Sequence, residues 1–230
     1  MKLVIFIPLR NEEENISLLV KKIESLHLKD YKLLLVNDVS TDKTSQIIEK
    51  LAKQNKEIIA IHRTTNPGRG RAGITGLKKA LELKPDYIIE MDGDLSHNPK
   101  YIPNMLKEIK NYDVIIGSRK QIDSDKRNHI RKYLTKLSVY YFQKMLGIKL
   151  SDPNSGFRCF RRQVIESIIN SLESTGFSIT TEILFKITKK QFKIKEIPII
   201  FEDRKKGKSK LKIKDLIKSF FRILKYKIII

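Results

Sequence analysis

Cysteine is all but missing from this chain: Cys159 is the one copy in 230 residues. A single thiol excludes an internal disulfide, and with neither CxxC nor HExxH spacing there is no ligand set for zinc or dithiol redox chemistry. That usage fits a reducing, cytoplasmic setting. Long hydrophobic runs are missing too. None approaches the ~18 to 20 apolar residues that cross a bilayer, and the opening "MKLVIFIPLR" runs into "NEEEN" where a signal peptide would place small residues and a cleavage site, so it reads as a first strand. The histidines His27, His62, His97 and His129 are scattered, which leaves no Ser-His-Asp or Cys-His set. His97 reads as a helix-start residue. No internal repeat or low-complexity linker divides the chain, so a single domain over 1–230 is expected.

Acidic residues are scarce in one half only. Residues 1–100 carry 17 Lys and Arg against 14 Asp and Glu, whereas residues 101–230 carry 30 against 12, within a total formal charge of +21. The second half is built to meet an anion: nucleic acid, anionic lipid headgroups or a phosphorylated substrate.

The first half alternates short apolar runs with helical periodicity. "KLVIFI", "YKLLLVN", "EIIAIH", "DYIIEM" and "YDVIIGS" read as buried strands; Leu18, Leu19, Lys22 and Ile23, then Ile47, Ile48 and Leu51, mark helix faces between them. The pattern predicts an α/β fold with a mostly parallel sheet covered on both faces, whose ligands bind beyond the carboxyl ends of the strands. Those ends are polar: Arg10, Asn11 and Glu12; Asn37 and Asp38; Asp92 and Asp94; Ser118 and Arg119. Beyond Arg119 come a polar loop, a helix near 130 to 146 ended by Gly147, the stretch "LSDPNSGFRCFRR", one or two helices, a strand "KIKEIPIIF" and a basic tail.

Asp92-Gly93-Asp94 is the sharpest local signal. Two acids one residue apart repel unless a cation sits between them, and at a strand end they suit Mg²⁺ or Mn²⁺ held against a diphosphate. By spacing alone the pair serves equally as a solvated turn capping the helix near Pro99. In "VNDVSTDKT", Ser40, Thr41 or Asp42 caps a helix, which leaves Asp38 over as an acceptor for the N–H groups of a base. "NPGRGRAGITG" is glycine-rich and basic but matches neither GxGxxG nor a Walker loop, so a flexible loop opening a helix is expected. Most of the dispersed cations, Arg119, Arg131, Arg158, Arg161, Arg162 and "DRKKGKSKLK", read as solvated charge.

Together, "IPLRNEEENI", "VNDVSTDKT", "GRGRAGITGLKKA", "MDGDLSHNPKYIP", "GSRK", "SDPNSGFRCFRR", "GFSITTEI" and "DRKKGKSKL" resemble, in order and spacing, the dolichyl-phosphate mannosyltransferase family within glycosyltransferase family 2. The resemblance implies a GT-A type nucleotide-sugar fold and inverting transfer of one hexose to a polyprenyl or dolichyl phosphate, with mannose from GDP-mannose as the expected donor and a UDP-sugar as the alternative. By motif position, Pro8, Arg10, Glu12, Val36 and Asp38 would hold the nucleoside. Asp92, Gly93, Asp94 and Ser96 would take the metal (Mg²⁺ or Mn²⁺) and diphosphate, and Arg119, Arg204 and Lys210 would surround the phosphates. Arg131, Ser155 and Arg158 are candidates for the acceptor phosphate. Arg10 stands where the family commonly has tyrosine, Asn37 where an aspartate precedes Asp38, Gly93 where alanine is usual, and Lys208 where glutamate precedes Ser209.

The expected division is a nucleotide-sugar part over 1–119, an acceptor-side part over 120–210, and a C-terminal amphipathic helix over 211–230. In that last segment Ile213, Leu216, Ile217, Phe220, Phe221, Leu224 and Ile228 recur at spacings of three and four between Lys212, Lys214, Lys218, Arg222 and Lys225. A membrane-surface helix on the cytoplasmic face is expected, while the same periodicity also fits a helix packed on the core. A separate membrane-anchoring subunit is compatible with this. Nucleic acid is not expected as a partner, because aromatic residues are not interleaved with the cations as a stacking platform requires.

Overall fold

The computed structural model of the chain describes residues 1–119, 139–140, 143–144, 147 and 149–200. Arg131, Arg204, Lys210, most of the helix expected near 130 to 146 and the whole 211–230 segment lie outside the described residues.

Strands and helices alternate as the apolar runs predict: β1 (Leu3–Leu9), α1 (Ile16–Glu24), β2 (Tyr31–Asp38), α2 (Thr44–Gln54), β3 (Ile58–Arg63), α3 (Arg69–Glu82) and β4 (Tyr87–Glu90). After a 3-10 turn at Pro99–Tyr101 come α4 (Ile102–Glu108), β5 (Val114–Arg119), β6 (Arg158–Arg161), α5 (Arg162–Glu166), α6 (Ile179–Lys189) and β7 (Ile194–Ile199). They form one seven-stranded sheet in the order β3-β2-β1-β4-β6-β5-β7. Pairing is parallel throughout except at β6, which runs antiparallel between β4 and β5. This strand is not among those expected from sequence.

Alternation along β1 feeds two cores. Leu3, Ile5, Ile7 and Leu9 pack with Leu19 and Ile23 of α1, Ile48 of α2 and Met105 of α4. On the other face Val4 and Phe6 pack with Leu77 and Ala80 of α3, Val164 of α5 and Ile183 of α6. Each fully buried side chain of this size contributes ~1.5 to 3 kcal/mol, so the covered sheet is the rigid frame for its loops. Contact is tight enough that a Cβ on Gly76 would lie 2.3 Å from the Phe6 ring. On α1 the buried stripe is Ile16, Leu19, Val20 and Ile23, and Leu18, expected on that face, is 48% exposed.

Candidate active site

The parallel strands β1, β2 and β4 all end on the same edge of the sheet, and their loops are stitched together by side chains. The Asn11 N–H donates to Ser40 Oγ at 3.0 Å, the Thr41 N–H to Asn11 Oδ1 at 2.8 Å and the Glu12 N–H to Thr44 Oγ1 at 2.8 Å. Asp42 accepts from the N–H groups of Thr44 and Glu13, at 3.0 and 3.2 Å. Asp42 therefore supports the start of α2, as the sequence suggests. Three non-glycine residues beside these ends, Asn11, Val39 and Leu95, have φ of 52°, 54° and 63°. For a β-branched residue such as Val39 this left-handed conformation is costly, and it turns the chain sharply beside Asp38.

Asp38 is 3% exposed, paired with Arg63 and accepting the Gly68 N–H at 2.8 Å. Pro8 and Val36 are neighbours across the β1–β2 pair; the Val36 side chain is fully buried, while Pro8 is partly exposed. Arg10 is exposed, and Glu12 is buried and accepts from Asn15 Nδ2 at 2.8 Å.

The two acids after β4 differ in their support. Asp94 is 5% exposed, and its Oδ1 accepts from both the N–H and the hydroxyl of Ser96, at 3.1 and 2.5 Å. Ser96 thus orients Asp94. The Asp92 side chain is 37% exposed; its Oδ1 lies 3.3 Å from Arg69 Nη2, and its N–H donates to His97 Nδ1 at 3.3 Å. Gly156 gives this carboxylate its room, since a Cβ there would sit 2.9 Å from Asp92 Oδ2. A Cβ on Gly93 would meet Leu9 Cδ2 at 2.4 Å. The helix-capping alternative for Asp92 and Asp94 does not hold, because Asn98 caps the turn at Pro99, accepting from the Lys100 N–H.

His97 lies beneath this loop at 2% exposure, stacked on Phe157 with ring centroids 5.3 Å apart. Burial pulls its pKa down, outweighing the upward push of Asp92, Asp94 and Asp152, so the imidazole is neutral with Nδ1 as acceptor. His97 directly precedes the Asn98 cap of the turn at Pro99, as the sequence suggested, and is also a buried support of the acidic loop.

The acceptor-side candidates need correction. Arg158 has no exposed surface: it donates to the carbonyls of Ser155, Thr180 and Pro153 at 2.8, 2.7 and 2.9 Å, and burial lowers its pKa to about 10. Ser155 is 1% exposed, with its hydroxyl given to Gly117 O at 2.6 Å. Both fold the 150–157 loop back onto the sheet, so neither is placed to receive a phosphate. Arg119 is different. It forms a two-pronged pair with Asp152 at 2.5 and 2.7 Å while its side chain stays 38% exposed.

The basic glycine stretch is likewise packed. The N–H groups of Gly70 and Arg71 donate to Thr175 O, and a Cβ on Gly68 or Gly70 would lie 2.3 or 2.0 Å from the carbonyls of Thr175 and Ser174. Those glycines admit a neighbouring backbone rather than form a flexible loop. Glu182 of α6 holds that neighbour, accepting the N–H groups of Glu173 and Ser174 at 2.9 and 2.7 Å.

Sequence reasoning missed Arg69, Glu90, Asp152 and Glu182. A signal existed for Glu90, an acid inside an apolar strand run, since a buried carboxylate demands a partner.

Among the described residues no three His, Cys, Asp or Glu side chains converge as a metal site. Asp92 and Asp94 are nonetheless a suitable donor set for Mg²⁺ or Mn²⁺, ions that take one or two carboxylates and complete their shell with phosphate oxygens and water. One carboxylate is partly open, and both are braced, by Arg69 and Ser96.

Residues 4–169 match the sequence profile of glycosyl transferase family 2. The chain belongs to glycosyltransferase family 2. The enzyme is 31% identical over 214 residues to an undecaprenyl-phosphate mannosyltransferase of Micrococcus luteus, covering 92% of this chain and 88% of the relative. A polyprenol monophosphomannose synthase of Mycolicibacterium smegmatis is 28% identical over 228 residues, 97% of this chain and 86% of its own. A dolichol-phosphate mannosyltransferase of Pyrococcus furiosus is 34% identical, over 98% of this chain and 64% of that longer protein. The crystal structure of glucosyl-3-phosphoglycerate synthase from Mycobacterium tuberculosis with Mn²⁺, UDP-glucose and phosphoglyceric acid superposes with a TM-score of 0.68 at 16% identity, over 97% of this glycosyltransferase and 77% of that chain. That likeness establishes the shared GT-A type fold.

Proposed function

We propose that this glycosyltransferase moves mannose from GDP-mannose to a polyprenyl or dolichyl phosphate with inversion at the anomeric carbon, working on the cytoplasmic face of a membrane. The observation that carries the reading is the braced Asp92–Asp94 pair at the strand ends, in a chain that aligns over nearly its full length with polyprenyl-phosphate mannosyltransferases.

Asp92 and Asp94 would hold Mg²⁺ or Mn²⁺, which neutralises charge on the departing diphosphate when bound. In the transfer, an acceptor phosphate oxygen forms a bond to the anomeric carbon as the bond from that carbon to the β-phosphate oxygen breaks, and the nucleoside diphosphate leaves. A phosphate monoester with a second pKa near ~6 is already ionised at neutral pH, so the attack needs no protein base. His97, buried and bonded to the Asp92 N–H, is committed to supporting the loop. The protein's work is alignment and charge compensation. In this reading Asp38, bonded to Arg63 and the Gly68 N–H, shapes the nucleoside end of the site, and Arg119, paired with Asp152, would compensate phosphate charge through its exposed edge.

No helix among the described residues is long and apolar enough to cross a membrane. In this reading the lipid acceptor is reached by peripheral docking through segment 211–230, whose sequence sets apolar residues between cations. Cations near an anionic leaflet add ~1 kcal/mol each, so vesicle binding should fall with salt.

The test is incubation of the purified protein with Mn²⁺, polyprenyl phosphate and, in separate arms, labelled GDP-mannose, UDP-glucose and UDP-N-acetylglucosamine. Label in lipid from GDP-mannose alone is expected. Label from a UDP-sugar alone would reassign the donor, and label from none would sink the reading.

A further inference from the structure

The Asp92 carboxylate is held from behind by a charge that sequence reading passes over. Arg69 Nη2, at the start of α3, donates to Glu90 Oε1 at 2.7 Å and to Asp92 Oδ1 at 3.3 Å, so one nitrogen ties the last residue of β4 to the first acid of the pair. Glu90 is 1% exposed. Two further atoms of the cluster, Arg69 Nη1 and Glu90 Oε2, are buried without a hydrogen-bond partner.

The surrounding chain is arranged to admit this guanidinium. One turn along α3, a Cβ on Gly73 would sit 3.2 Å from Arg69 Nη1 and 3.9 Å from Glu90 Oε1. A residue without a side chain leaves the guanidinium room to fold back over Glu90. The mount itself is fixed, since the first turn of α3 is bonded to Thr175 O and Gly68 to Asp38.

We propose that Arg69 is a positioning residue for Asp92, with Glu90 as its counter-charge. It fixes the direction of the carboxylate and thereby the affinity for the divalent ion, touching neither ion nor substrate. A site with only two protein carboxylates depends on their preorientation, and partners behind metal ligands typically govern 10- to 100-fold in affinity. Glu90 is needed because a guanidinium facing Asp92 alone would cancel the charge that the ion requires; sharing it between two acids leaves Asp92 anionic. Asp94 receives the same service from the uncharged Ser96 hydroxyl.

The proposal rests on Asp92 and Asp94 being the metal carboxylates, so the experiment separates the two claims. Free Mn²⁺ is followed by electron paramagnetic resonance during titration of the full chain, with GDP in one arm and UDP in another. Arg69→Lys keeps the charge and loses the bridging geometry, and it should weaken Mn²⁺ binding about tenfold with its Tm near that of the wild type. Gly73→Ala, which crowds Arg69 while favouring the helix, should weaken binding about threefold at equal or higher Tm and decides the matter if Arg69→Lys does not fold. Wild-type Mn²⁺ binding in Gly73→Ala, or in a folded Arg69→Lys, overturns the proposal when Asp94→Asn has lost its ion. If Asp94→Asn binds Mn²⁺ as the wild type does, the metal assignment fails and takes this proposal with it.

Discussion

The two sides of the sheet build their polar ends differently. On the β3-β2-β1 side, strands run parallel and each loop leaves a carboxyl end, where acids, hydroxyls and main-chain N–H groups bond one another. On the β6-β5-β7 side, the antiparallel β6 brings in a loop that precedes its strand, and arginines are drawn inward. Arg158 binds three carbonyls, and Arg119 grips Asp152. At the parallel strand ends Asp92 keeps an open edge for a ligand, whereas Arg158 and Arg119, beside the inserted strand, serve first to close its loop.

The contrast breaks most visibly at Asp94. Asp94→Asn keeps the shape and the hydrogen bonds from Ser96 but loses the charge, and turnover at limiting Mn²⁺ should drop on the order of 10³-fold, or ~4 kcal/mol. Wild-type turnover would remove the acids from the metal site.

On the other side the largest expected effect is on stability. Arg158→Ala strands three buried carbonyls and should lower unfolding free energy by at least ~3 kcal/mol in urea titration. A variant of normal stability with poor use of acceptor would restore Arg158 to phosphate binding and erase the distinction drawn above.

Arg119 sharpens the comparison because it is half in each category. Arg119→Ala should reduce turnover about a hundredfold, ~2.7 kcal/mol, with little change in Tm, if its exposed edge faces developing charge. A large fall in Tm with normal turnover in the folded fraction would make it a loop clamp like Arg158.

The smallest effect belongs to Asp42. Burial pushes its carboxyl upward, but hydrogen bonds from Thr44 and Glu13 outweigh that and hold it below the ordinary 3.8. Its folded pKa is depressed, so its stabilisation is present above about pH 4 and lost as pH falls through the lowered value. Asp42→Asn should cost ~1 kcal/mol at pH 7, and the Tm gap from wild type should close on acidification.

Much of the first half was legible because apolar runs bounded by polar strand ends translate directly into β1 to β5, and because Asp38, Asp92 and Asp94 stand at those ends. β6 was hidden by its own composition: "RCFR" carries arginines at both ends, and only tertiary contact shows that Arg158 is wholly buried. The glycines at 68, 70 and 73 looked like loop residues, since their partners, Ser174, Thr175 and the folded-back Arg69, are supplied by distant chain or by side-chain direction. Leu18 satisfied the helical spacing yet faces solvent, one position off the buried stripe.

The most direct test of the central claim is transfer of labelled mannose from GDP-mannose to polyprenyl phosphate by the wild-type protein, followed as Mn²⁺ is removed with chelator and restored. Labelled lipid should form only with the ion present and return on its restoration. Undiminished transfer in chelator, or no transfer with Mn²⁺ saturating, would contradict the account.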